Sequence, residues 1–132
     1  MIFEPTNNPP PEQLPPLVLA YIGDAVYELY IRSRLIEAGL TRVKNIHQRA
    51  VELVQASFQA QFLQEIESQL TEEEQMMMRR GRNAKSGHVP KSAEMIEYRY
   101  STGLETLIGY LYLKGEHKRL CELMSRVPIS LP

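Results

Sequence analysis

Leu14-Pro15-Pro16-Leu17-Val18-Leu19-Ala20-Tyr21-Ile22-Gly23-Asp24-Ala25-Val26-Tyr27-Glu28-Leu29-Tyr30-Ile31-Arg32-Ser33-Arg34-Leu35-Ile36 is the stretch on which the fold turns. Two prolines stand at its start, where a missing N–H costs a helix nothing, and Gly39 lies just past its end. The apolar run between them shows no period-two alternation, so the spacing predicts one long, mostly apolar helix. Asp24 is the only charge within Leu14–Tyr27 and the only aspartate in the chain. An ionised carboxylate on a buried helix is costly unless it is paired, hydrogen bonded or bound to a metal. The alternative is that Gly23-Asp24 forms a turn or a cap between two shorter helices.

Beyond Gly39 the helical pattern continues. Ile46, Ala50, Val54, Phe58, Phe62, Ile66 and Leu70 recur every four residues. A strict four-residue spacing drifts around a 3.6-residue helix, so this region is expected to bend or split near Gln55–Ser57. Thr71-Glu72-Glu73-Glu74 is a capping box that starts a helix running through Met76-Met77-Met78 to about Arg82. Asn83 to Lys91 holds Gly87 and Pro90 and reads as a loop, with Ser92 placed to cap the next helix. Leu104, Leu107, Ile108 and Leu111 mark another helix, closed by Gly115; Leu120, Leu123, Met124 and Val127 mark the last. The fold class is therefore all-α. At 132 residues, one domain is expected. Six of the nine prolines lie in the first 16 residues. Residues 1–13 are thus expected to be a flexible or extended tail, 14–127 the folded domain and 128–132 a short C-terminal tail.

Composition narrows the function. The chain carries 15 Lys plus Arg and 16 Asp plus Glu, a net charge of −1, which excludes a polycationic nucleic-acid binder. The one cysteine, Cys121, excludes an intrachain disulfide framework and a multi-cysteine zinc site. It is expected as a small core residue in a reducing, cytoplasmic setting. Met76–Met78 read as packing residues. His47, His88 and His117 have no ligand spacing between them. No stretch reaches the ~18 apolar residues of a membrane span, and Met1-Ile2-Phe3-Glu4-Pro5 does not read as a signal peptide.

A second acid stands out near the C-terminus. Ser101, Thr102, Ile108, Gly109 and Tyr112 share a helix face with Glu105, and Gly109 would let another helix approach closely. Read alone, this face is also compatible with solvent exposure. If the helices bearing Asp24 and Glu105 cross, the two carboxylates could share a hard cation such as Mg²⁺. A basic stretch lies between the two acids. Arg79, Arg80, Arg82, Lys85, Lys91 and Arg99, offset by Glu94 and Glu97, give residues 79–99 a net charge of +4. Such a loop suits phosphate contact; equally, it could be a solvated connector.

Three segments carry a resemblance. Tyr21-Ile22-Gly23-Asp24-Ala25-Val26-Tyr27-Glu28 resembles the signature helix of the ribonuclease III family, and Leu104-Glu105-Thr106-Leu107-Ile108-Gly109-Tyr110-Leu111-Tyr112-Leu113 resembles that family's second catalytic helix. Arg79-Arg80-Gly81-Arg82-Asn83-Ala84-Lys85-Ser86-Gly87, with Tyr98-Arg99-Tyr100-Ser101-Thr102 after it, is similar to the short bacterial Mini branch. The likeness spans about residues 14–126. It implies a ribonuclease III-like helical endonuclease domain, acting as a homodimer on double-stranded RNA with Mg²⁺ (or Mn²⁺ in its place). Staggered cuts leaving 5′-phosphates are expected. The branch is associated with maturation of the 23S ribosomal RNA precursor, for which a ribosomal-protein helper is a possible partner.

Asp24 and Glu105 match the family's essential acidic positions, as catalytic residues and metal ligands. No separate double-stranded-RNA-binding domain is expected. Arg79, Arg80, Arg82, Asn83, Lys85, Lys91 and Arg99 would then supply much of the RNA grip. Longer ribonuclease III proteins carry two further carboxylates, where this chain has Ala20 and Thr102. Fewer carboxylates imply a more hydrated, more weakly held ion. Those gaps also leave open a non-catalytic RNA-binding or ribosome-assembly factor on the same fold. An all-α nucleotide pyrophosphatase would need paired Glu-x-x-Glu motifs. Glu94 and Glu97 form one such pair, with no second placed to match.

Overall fold

Pro15 and Pro16 do open a helix, and it runs unbroken through Gly23 and Asp24. The structure, a computed structural model, describes residues 4–6, 8–84 and 93–129. Helix α1 spans Pro16–Glu37 and buries Leu19, Tyr27, Ile31 and Leu35, all at spacings that return to one face. It stops at Gly39, whose φ of 107° few other residues adopt. There the Leu40 N–H donates to the Leu35 carbonyl at 3.1 Å, and the Gly39 N–H to the Ile36 carbonyl at 3.0 Å.

The four-residue series splits where the drift predicts. Helix α2 spans Val43–Leu53 and α3 spans Ala56–Ile66. After a 3₁₀ turn at Glu67–Gln69, Thr71 caps α4, Glu72–Arg82. The Glu74 N–H donates to Thr71 Oγ1 at 3.1 Å, and the Thr71 N–H to Glu74 Oε1 at 2.9 Å. Glu74 is buried and also accepts two 2.8 Å bonds from the Arg119 guanidinium. One carboxylate thus caps a helix and anchors another. Asn83 and Ala84 leave α4 as a turn, while Lys85, Lys91, Ser92 and the rest of 85–92 lie outside the described residues.

Helix α5, Ala93–Lys114, packs against α1, α3, α4 and the short α6, His117–Met124. Its Leu104, Leu107, Ile108 and Leu111 join Phe62, Leu63, Met77, Met78, Leu120 and Leu123 in one core. Among the described residues there is no strand, and no helix is long and apolar enough to cross a membrane.

Three placements differ from expectation. Pro11–Gln13, within the segment expected as a tail, forms a 3₁₀ turn with Pro11 buried. Arg80 holds it by donating to the carbonyls of Glu12 at 3.1 Å and Leu14 at 2.9 Å. Cys121 is exposed rather than in the core, because α6 turns Leu120, Leu123 and Met124 inward and leaves position 121 on the solvent side. Of the three methionines, Met77 and Met78 are buried and Met76 faces out.

Candidate active site

Close approach of two backbones creates the site. A Cβ built at Gly23 of α1 would fall on the Glu105 carbonyl oxygen and lie 2.8 Å from the Gly109 nitrogen. One built at Gly109 of α5 would fall on the Leu19 carbonyl oxygen and lie 2.9 Å from Ile22 Cγ2. Each glycine therefore makes room for the other helix. The residue after Gly23 is Asp24, and the residue four before Gly109 is Glu105, so the crossing brings these two acids together. Their carboxyls meet closely enough for each to act on the other.

Asp24 is exposed on α1, and Glu105 is the partly buried member of the pair. Burial first, then the Asp24 charge and the bond shared with Asp24, push the Glu105 carboxyl up to about 8. A bond from the Gln59 amide acts in the opposite direction. Two carboxyls in contact must share a proton or a cation, because like charges this close cannot both stand ionised alone.

The residues present fit a hydrated, hard divalent ion. The donors are two carboxylates, the oxygen ligands such an ion prefers. Gln59 is buried beside them, with its Oε1 unpaired. No third acid closes the set: Ala20 is buried, and the buried Thr102 hydroxyl donates to the Tyr98 carbonyl at 2.9 Å. Among the described residues no group of three His, Cys, Asp or Glu side chains is placed to hold a metal. Most of the ion's coordination would be water.

Two side chains frame Glu105. The buried Tyr27 hydroxyl donates to the Leu53 carbonyl at 2.7 Å. Its proton is held far above the usual phenol range, by burial first and then by the Glu105 charge. Gln59 Nε2 donates to the Val54 carbonyl at 2.9 Å. Together they satisfy consecutive carbonyls at the end of α2 that a helix leaves without intrahelical partners.

The predicted basic residues divide. Arg79 is exposed at the end of α4 and donates to Gln75 at 3.1 Å. Arg82 lies over the Tyr100 ring, 5.7 Å from its centroid. A Cβ built at Gly103 would lie 3.4 Å from Arg82 Cβ, so the basic end of α4 crosses α5 within one turn of Glu105. Asn83 and Arg99 are exposed. Arg80 is committed to the carbonyls of Glu12 and Leu14, and Lys85 and Lys91 lie outside the described residues.

The Ribonuclease III domain model matches residues 17–116, a span that includes both glycines and both acids of the crossing. The chain belongs to the ribonuclease III family. Within this family it is similar to the Mini-ribonuclease 3 of Symbiobacterium thermophilum, 53% identical over 114 residues, covering 86% of this chain and 88% of that protein. The Mini-ribonuclease 3 of Clostridium tetani is 48% identical over 117 residues, 88% of this chain and 78% of that one. A crystal structure of a Fusobacterium nucleatum protein superposes with a TM-score of 0.76 at 28% identity, covering 86% of this chain and 90% of that one. This ribonuclease III domain is of the Mini branch, as those relatives show.

Sequence reasoning missed Gln59, Tyr27 and the structural duty of Arg80 in this ribonuclease III domain. Gln59 left a signal. It stands four residues before Leu63 and seven before Ile66, on the face α3 buries.

Proposed function

We propose that this endoribonuclease cleaves double-stranded RNA as a homodimer, with Mg²⁺, or Mn²⁺ in its place, held between Asp24 and Glu105. The observation that carries the reading is the meeting of those two carboxyls at the Gly23–Gly109 crossing. Ribonuclease III proteins are generally dependent on divalent metals, act on double-stranded RNA and are typically dimeric. When bound, the ion would activate water for attack on phosphorus and neutralise charge on the leaving oxygen. Asp24, open to solvent, would face the RNA, while Glu105 is held from behind by the packed helices. Arg79, Arg82 and Arg99, with Lys85 and Lys91, would grip phosphates by charge-assisted bonds. A-form RNA offers a wide, shallow minor groove, so the duplex is recognised mostly by shape.

The exposed side of α1 supports the dimer. Val18, Tyr21, Leu29 and Ile36 are large apolar residues open to solvent, Tyr21 by 84% and Leu29 by 63%. Tyr21 stands one turn before Asp24, on the same side of the helix, so a second copy seated there would bring two acidic sites to one duplex. Residues 14–127 act as the catalytic domain in this reading. The 23S ribosomal RNA precursor is the substrate that the likeness to the Mini branch points to.

Asp24→Asn tests the reading on a fully paired RNA duplex with Mg²⁺. Cleavage should be abolished while duplex binding in a gel shift persists. Wild-type cleavage by the variant would remove Asp24 from the chemistry and the reading with it.

A further inference from the structure

Gln59 has a polar side chain in an apolar setting. It is 2% exposed, on the buried face of α3 with Ala60, Phe62 and Leu63. Its amide nitrogen carries two hydrogens and donates to the Val54 carbonyl at 2.9 Å, and the Glu105 carboxyl lies beside the side chain. Its Oε1 is buried and has no partner. A buried amide with an unmet acceptor is costly, so a purely structural bracket between α2 and α3 is a poor explanation of this residue.

We propose that Gln59 is a positioning residue of the cation site, tying the Glu105 carboxylate to the end of α2 and fixing which of its oxygens faces Asp24. The proposal rests on the reading of Asp24 and Glu105 as cation ligands. A glutamate side chain ends in a carboxylate that rotates freely unless something holds it. The Val54 carbonyl belongs to the backbone, and its neighbour, the Leu53 carbonyl, is held by the Tyr27 hydroxyl at 2.7 Å. A donor anchored there holds Glu105 in one orientation. The spare Oε1 leaves one acceptor for a water in the ion's shell. Partners of this kind, which touch a ligand rather than the ion, set metal affinity by about 10–100-fold.

The test uses the full chain without RNA. Gln59→Met keeps the length and removes both polar groups. Mn²⁺ binding, measured by electron paramagnetic resonance or calorimetry, should weaken about 10-fold in Gln59→Met. A residue that merely braced the corner would lower the metal-free melting temperature and leave the Mn²⁺ Kd where it was; that result overturns the proposal. Should Gln59→Met fail to fold, the wild-type protein supplies the second measurement. The Gln59 side-chain amide resonances should shift along a Mg²⁺ titration, with the midpoint of binding. Resonances that stay fixed while Mg²⁺ binds refute the role. A wild type that binds neither ion removes the cation site itself and this proposal with it, whereas equal binding by wild type and Gln59→Met removes the proposal alone.

Discussion

Gly23→Ala is the most direct probe of the crossing that makes the site. The added methyl would land on the Glu105 carbonyl oxygen, 2.7 Å from its carbon and 2.8 Å from the Gly109 nitrogen. Ordinary contacts between such atoms begin at about 3.5 Å. No side chain can swing aside, because the obstacles are backbone. The helices must therefore part by more than about 1 Å. An overlap this deep with backbone puts the cost of overpacking near the upper end of ~1–3 kcal/mol, and the gain in helix propensity returns ~1 kcal/mol. The net loss is about 2 kcal/mol, which lowers the melting temperature by roughly 7 °C in a domain of this size. A domain of ordinary stability, ~5–15 kcal/mol, stays folded at 25 °C through such a loss. Cleavage at 25 °C thus reads geometry rather than unfolding. A misplacement of about 1 Å between reacting groups can cost ~10²-fold, and single-turnover cleavage of duplex RNA at saturating Mg²⁺ should fall by about that much. Gly39→Ala is the control. Nothing lies within 4 Å of its built Cβ, but its φ of 107° strains any other residue. It should lose ~1–2 kcal/mol and keep its cleavage rate. A Gly23→Ala protein with wild-type melting and wild-type cleavage would refute the backbone-to-backbone crossing.

Because Glu105 is raised to about 8, it must release a proton when the ion binds. Mn²⁺ affinity should climb as pH rises towards 8 and then level off, and calorimetry in buffers of different ionisation enthalpy should show proton release; a flat affinity from pH 6 to 8 contradicts this. The same raised value means that metal-free stability falls over that range, since the folded form holds a proton that the unfolded chain gives up above about 4.5. At the basic end, Arg79→Ala should flatten the salt dependence of RNA binding, as fewer counterions are released. Arg80→Ala should instead cost ~1–3 kcal/mol and expose residues 8–14 to protease, because its bonds go to the Glu12 and Leu14 carbonyls; an unchanged melting temperature would remove the clamp. Burial raises the Glu74 carboxyl, but the bonds from Arg119 and Thr71 outweigh it and hold it below the usual carboxylate range. Its contribution is present above pH ~4.5 and is lost as pH falls through the depressed value. Glu74→Gln should therefore melt well below wild type at pH 7, by roughly 2–3 kcal/mol for a partly exposed pair, with the gap closing in acid. A gap that persists at pH 2–3 would mean the pair contributes through packing alone.

Local features were legible because their causes lie within a few residues. The prolines and Gly39 bracket α1, the drifting four-residue series breaks at Val54–Gln55, and Thr71 with Glu74 forms its box wherever the chain goes. The chemical types at the site were legible too. A lone aspartate in an apolar helix and a glutamate beside a glycine carry their meaning in composition and spacing. What remained conditional was the meeting of Asp24 with Glu105. It depends on two glycines on different helices lying against each other's backbone, and no pattern along one helix reports what another helix brings to it. The same limit hid Arg80, whose acceptors are backbone carbonyls 66 and 68 residues away, atoms that every residue possesses. It hid Gln59 as well. A glutamine in an amphipathic stretch is read as solvated until packing closes over it, and only then do its unmet oxygen and its place beside Glu105 have any consequence. The chain's order thus sets helices, caps and the chemical repertoire, since these arise from short-range sterics and hydrogen bonding. Which acid is buried, which arginine is free and which amide orients a ligand are settled by long-range packing, where desolvation fixes the energy of every polar group.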